Sequence, residues 1–279
     1  MLYYYALLYY NINLKQIKTM KKIHLISTLI GLLAFSTISK ADLKVVTSIK
    51  PIHSLASYIM DGVGSPGLIV DGYNSPHSFQ LKPSHAKMLE QADIIFWIGE
   101  DLENFLEKPL DTIAKKAEKI ELLEIKNIKK LKFRERNIFE EHEGHDDHGH
   151  DAKKEEHDDH GHDAKKEEHD DHEEHGHGEY DPHIWLDPIN AKIILNEITE
   201  HLIENDSKNA STYKSNLTKA LAKIDKLIID VITETNKNLS YVVFHDAYQY
   251  YENRFNVNIL GAMTVNPDVM PGAEQIHEI

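Results

Sequence analysis

The chain has 279 residues, no cysteine and a formal net charge of −15. Without cysteine it can form neither a disulfide framework nor a lipid-modified N-terminal thiol. The charge is not spread evenly: residues 140–181 hold 19 of the 46 acidic and 4 of the 31 basic residues, so the remainder is neutral overall.

At the N-terminus, Met20-Lys21-Lys22, the apolar stretch 23–38 and Ser39-Lys40-Ala41 have the basic start, hydrophobic middle and small-residue cleavage site of a secretory signal. Residues 1–41 are therefore expected to be a cleavable signal peptide preceded by a mis-assigned upstream start, with the mature chain beginning at Asp42. The apolar stretch is short for a membrane span of ~20 residues. A soluble protein exported to the periplasm is expected.

From residue 42 the chain alternates short apolar runs with helical patterns, the signature of an α/β fold. Residues 42–139 are expected to form an N-terminal lobe, with strands over 43–49, 67–70 and 94–98. Its helices are expected from Pro51 to near Gly62, over 84–91 and over 102–114.

Residues 140–181 interrupt this pattern. HDDHGHDAKKEE occupies 145–156, repeats at 157–168, and begins a third copy at 169. A tract without apolar runs, low in complexity and rich in like charges is expected to be a solvated, disordered insert. Its His-x₂-His-x-His spacing lets a flexible chain wrap a cation without preorganised geometry. His145, His148, His150, His157, His160, His162, His169, His172, His175 and His177 are thus expected to form a low-affinity metal-binding insert. A merely solubilising acidic loop would not require 11 histidines in that segment.

Residues 182–205 are expected to complete the N-terminal lobe with a helix over 191–204, and 206–238 to form a linking helix. Leu217, Leu221, Ile224, Ile228 and Val231 fall on one apolar stripe of that helix, which at about 30 residues would reach ~45 Å. Residues 239–279, with a strand at 241–244, a helix at 247–255 and a strand at 259–265, read as a partial C-terminal α/β lobe. The plan is two lobes joined by one long rigid helix.

Three histidines outside the insert lie at element boundaries: His77 in DGYNSPHSFQLKPS, His183 in YDPHIWLDP and His245 closing YVVFHD. Strand ends and adjoining loops are where α/β units hold ligands. Taken singly, each is more commonly a structural or surface histidine.

The stretches DGYNSPHSFQLKPSHAKMLEQADIIFWIG, HIWLDP, YVVFHDAYQYYENRF and TVNPDVMPGAEQIHEI, together with the insert, resemble the zinc-specific periplasmic substrate-binding proteins of bacterial ABC importers. The resemblance implies a metal held in the cleft between two α/β lobes, with His77, His183 and His245 as ligands. Related manganese and iron binders generally carry a carboxylate where His245 stands, and three imidazoles suit Zn²⁺ better than Mn²⁺. The implied function is high-affinity zinc capture and delivery to the permease and ATPase of an importer, by a monomer with no nucleic-acid partner. The alternatives are a manganese- or iron-binding importer component, or a metal-sequestering or adhesion protein. No H-E-x-x-H arrangement offers the general base of a zinc hydrolase, so no enzymatic activity is expected.

Asp187 and Asp246 lie close enough to the ligands to be expected as acceptors that orient imidazoles. Asp187 equally suits the cap of a helix starting at Pro188. His53, His85, His201 and His277 are expected to be plain surface residues. Some zinc members place Glu before the first ligand, where this chain has Pro76, and relatives continue beyond the position of Ile279. The second lobe is thus expected to be truncated, and the site to be three histidines plus water.

Overall fold

The computed structural model describes residues 42–134, 178–264 and 276–277. The expected signal peptide, the insert up to residue 177 and most of the last motif lie outside the described residues. Among the described residues no helix is long and apolar enough to cross a membrane.

The apolar runs become a parallel sheet. Strands β1 (Val45–Thr47), β2 (Gly67–Leu68), β3 (Ile94–Trp97) and β4 (Glu118–Glu121) lie in the order β2-β1-β3-β4, every pair parallel. The central strands VVT and IIFW are buried along their whole length, as expected where helices cover both faces. Helices α1 (Lys50–Met60), α2 (Pro83–Gln91) and α3 (Glu100–Thr112) make the crossovers. Proline in the first turn of α1 and α2 removes only an amide that would lack a helical partner. Strand β4 is absent from the sequence expectation: of EKIE only Ile120 is buried, too little alternation to mark a strand.

Helix α3 is kinked at Glu103, whose φ of −124° and ψ of 47° are not helical. Its carboxylate is buried at the carboxyl end of β3, accepting hydrogen bonds from the amides of Ile98 at 2.7 Å and Gly99 at 3.2 Å. Gly99 has a φ of +149°, open to glycine but strained for other residues. Burial pushes the Glu103 carboxyl up to about 7, against the lowering pull of Ser48 and the two amides. The folded pKa is therefore raised: both states are protonated at low pH, and the unfolded chain releases its proton first as pH rises through about 4.5. Stability consequently falls between about pH 4.5 and 7 and is level above. Glu103→Gln removes this loss, so the variant should gain on the order of 3 kcal/mol on wild type across that window, at 1.36 kcal/mol per unit. Denaturant melts at pH about 5 and 8 check it, and a gap independent of pH would show that Glu103 does not titrate there.

After residue 178 a 3-10 turn (Ile184–Leu186) leads into α4 (Pro188–Asn205), which starts ahead of the helical pattern over 191–204, at the Pro188 that a cap at Asp187 implies. The expected continuous helix from Asp206 is instead a separate 3-10 turn (Ser207–Asn209) followed by α5 (Ala210–Glu234). The break follows from Asp206, whose backbone is non-helical and whose buried carboxylate takes the hydroxyl of Tyr213 at 2.9 Å and the amide of Asn209 at 2.6 Å. Helix α5 has 25 residues, about 37 Å of rise. Leu217, Leu221 and Ile224 pack against the main core, whereas Leu227, Ile229 and Ile232 further along are exposed.

Strands β5 (Ser240–His245) and β6 (Asn258–Thr264) form a second, parallel two-stranded sheet linked by α6 (Gln249–Phe255). Tyr241, Val242, Phe244, Leu260 and Met263 of this sheet are exposed. The main core lies around the first sheet, α1, α4 and the first half of α5, and Tyr250 from α6 joins it. The Tyr250 hydroxyl accepts from the Leu131 amide at 3.0 Å and donates to the Asp181 carbonyl at 2.8 Å.

Candidate metal centre

His77, His183 and His245, far apart in the chain, converge so that one ring nitrogen of each lies within 4.8 Å of the others. His77 sits in the loop after β2. That loop is anchored by buried Phe79, whose ring lies 5.3 Å from His85 and 5.2 Å from Phe105. Within it the His77 amide donates to Ser75 Oγ at 3.2 Å. His183 is buried immediately before the 3-10 turn, beside Trp185 at a centroid distance of 5.3 Å. His245 ends β5, paired in register with Thr264. Two of the three are thus carried on segments at the carboxyl ends of parallel strands, where a sheet presents loop side chains to a ligand.

The Nε2 atoms of His183 and His245 are 3.4 Å apart. Two nitrogens each 2.0–2.1 Å from a tetrahedral zinc stand ~3.3–3.4 Å apart, so this spacing already equals one edge of the coordination tetrahedron. The His77 ring lies 5.8 Å from that of His183 and 5.2 Å from that of His245, measured between centroids. The cluster fits a borderline cation, and its all-nitrogen donor set is a poor match for an oxygen-seeking one.

The imidazole acceptor is Asp181. Its Oδ1 lies 2.7 Å from His183 Nδ1 and also takes the His183 amide at 2.9 Å. Both groups are buried, so this contact directs Nε2 inward with its lone pair free for an ion. Gln249 Nε2 donates to Asp181 Oδ2 at 3.3 Å. The sequence leaves Asp187 between this role and the cap of the helix at Pro188, and the structure shows the cap; Asp246, expected in this role, meets Arg134 instead. Asp187 Oδ1 accepts from the Ile189 amide at 2.9 Å, capping α4, and its two oxygens meet Arg254 Nε at 2.8 Å and Nη2 at 2.7 Å. Asp246 is buried 3.3 Å from Arg134, which also holds Glu252 at 2.5 Å. Burial pushes the Asp246 carboxyl up to about 6, with Arg134 opposing the shift and Asp181 and Glu252 adding to it. The Asp-Pro-His run in YDPHIWLDP was the available sign of Asp181, since a carboxylate two residues before a histidine can fold back onto its ring. Asp181→Asn should cost ~10–100-fold in zinc affinity. Competition against a chelator is the measurement, and an unchanged affinity would remove Asp181 from the site.

Of the histidines expected at the surface, His85 is buried and accepts the Lys82 amide through Nδ1 at 3.2 Å, closing the start of α2. His201 is packed between carboxylates at the other end of α4.

Comparison with known proteins identifies the family. The family described as "Zinc-uptake complex component A periplasmic" matches residues 45–279. The high-affinity zinc uptake system protein ZnuA of Brucella abortus is 46% identical over 242 residues, covering 84% of this chain and 71% of that protein. A crystal structure of ZnuA superposes with a TM-score of 0.62 at 20% identity, covering 85% of this chain and 76% of that one. A zinc-bound ZnuA with an internal deletion superposes with a TM-score of 0.61 at 20% identity, over 85% of this chain and 75% of that one. At such identities the superpositions establish the fold, while the family match and the Brucella relative establish descent. The chain belongs to the ZnuA family of periplasmic zinc-uptake components.

Proposed function

We propose that His77, His183 and His245 ligate one zinc ion, which the chain captures in the periplasm and hands to the permease and ATPase of an ABC importer. As a ZnuA-family member it is a component of high-affinity zinc uptake and not an enzyme. The observation that carries the ligand assignment is the convergence of three imidazoles from three distant segments, two of them already at the spacing zinc requires. Zinc is cargo here, so it must be held tightly and also released. Ligands drawn from the first sheet's loops, from the segment before α4 and from β5 suit that need, because separating residues 42–139 and 182–205 from 239–279 about the helix within 206–238 would dismantle the triad. In this reading the chain works as a monomer, is exported by a cleavable signal in residues 1–41, and has no nucleic-acid partner.

The histidine-rich insert gathers zinc or buffers an excess without setting the primary affinity. A preformed triad loses little entropy on binding, whereas a flexible tract must order around each ion. Zinc titration with and without residues 140–179 is the test. One tight zinc should survive the deletion and the weak additional sites should vanish. In the intact chain those weak sites should fade as pH falls through roughly 6.5, where imidazole protonates. Loss of the tight site on deletion, or displacement of zinc by equimolar manganese, would overturn the reading.

A further inference from the structure

The far end of α4 holds a second convergence of ligating groups. Glu118 at the start of β4 and His201 and Glu204 in the closing turns of α4 each offer one ligand atom, all within 4.8 Å of one another. Glu118 is fixed by Asn205, whose Nδ2 donates to Oε2 at 2.9 Å, leaving Oε1 2.8 Å from His201 Nδ1. The other ring nitrogen, Nε2, lies 3.2 Å from Glu197 Oε1.

Both nitrogens of one imidazole therefore face carboxylate oxygens. A neutral ring has a single N–H, so it can satisfy only one of them. Nε2 is placed to donate to Glu197, while the buried Nδ1 makes no aligned hydrogen bond despite its short distance to Glu118. A lone pair opposed to a carboxylate is unfavourable unless positive charge stands between them. Among the described residues no lysine or arginine forms an ion pair with Glu118, Glu197 or Glu204. The carboxyl end of α4 adds the partial negative charge of the helix dipole at this place. A histidine whose outer N–H is held by a carboxylate is also the arrangement that metal-ligating histidines commonly show.

We propose that Glu118, His201 and Glu204 form a second cation site, for a divalent first-row ion, with Glu197 bracing the imidazole. It is separate from the triad, because His183 precedes the start of α4 and His201 lies about 20 Å further along its axis at 1.5 Å per residue. Its two carboxylates and one imidazole make a harder donor set than three imidazoles, so it accepts Mn²⁺ where the triad prefers zinc.

The test uses the full chain loaded with one equivalent of zinc and titrated with Mn²⁺ alone at pH about 7.5, where free imidazole is neutral. Paramagnetic broadening of individual amide signals separates this site from any Mn²⁺ taken up by the acidic insert. Amides of Leu202, Asn205 and Glu118 should broaden in wild type. In Glu204→Gln, an exposed position whose change leaves the packing intact, they should require on the order of 10-fold more Mn²⁺ or more. His201→Gln should abolish the effect. Zinc affinity at the triad, measured by chelator competition, should be the same in all three proteins. Absence of broadening at the end of α4, or equal broadening in wild type and Glu204→Gln, would overturn the site.

Discussion

Replacing His183 by Ala should abolish tight zinc capture, lowering affinity by on the order of 100-fold or more. Loss of an outer partner of a ligand alone typically costs 10–100-fold, and a ligand itself contributes more. His183 is the most buried of the three imidazoles, its Nδ1 is held at 2.7 Å by Asp181, and its Nε2 stands 3.4 Å from that of His245. His77→Ala and His245→Ala should show the same loss, since two imidazoles cannot complete a structured tetrahedral set. Competition titration against a chelator of known affinity provides the measurement, with unfolding followed in parallel so that a misfolded variant is not counted. Zinc bound at full strength by any one variant would strike that histidine from the ligand set. The Asp181→Asn variant should fall between wild type and His183→Ala, because it keeps the ligand and loses only its orientation.

Arg254→Met should strongly destabilise the fold. Asp187 is 1% exposed, and Arg254 supplies both of the charged contacts to its carboxylate. Removing the guanidinium leaves a buried charge held by the Ile189 amide. Breaking such a pair from one side costs ~3–5 kcal/mol. The Arg254 side chain is 32% exposed, so solvent screening places the expected loss near the lower figure, about 3 kcal/mol. In a chain of this size that corresponds to a drop in Tm of roughly 6–12 °C. The double variant Arg254→Met/Asp187→Asn should recover part of the loss, because no charge is then left alone. Thermal unfolding of the two variants decides the matter, and a loss below about 1 kcal/mol, the usual value of an exposed pair, would show that the contact is incidental. The pair also bears on zinc: it ties α6, which follows the β5 strand carrying His245, to the start of α4, which follows His183.

The features written in the sequence are those set by neighbours along the chain. Continuous apolar runs such as IIFW announce β3, a proline at a helix start announces α1 and α2, and the three histidines that converge lie at element boundaries, where the family resemblance rather than local pattern singled them out. Periodicity also exposes the apolar stripe of α5 and the boundary before it near Asp206, though not the 3-10 turn over Ser207–Asn209, where the Asp206 carboxylate takes the Asn209 amide and the distant Tyr213 hydroxyl. Strand β4 was illegible for a related reason: EKIE is held by its ladder to β3 and carries almost no apolar signal of its own. The same limit decides the carboxylates. Asp181, Asp187 and Asp246 are all near a histidine in sequence, yet Asp187 pairs with Arg254 and Asp246 with Arg134, while Asp181 meets a ring nitrogen of His183. His201 reads as one more surface histidine until β4 brings Glu118, which precedes it by 83 positions, against it. Local pattern specifies which segments form and which faces are apolar. Which polar groups meet depends on contacts between distant segments, whose energies no stretch of sequence contains by itself, and so only the tertiary structure assigned each acid its partner.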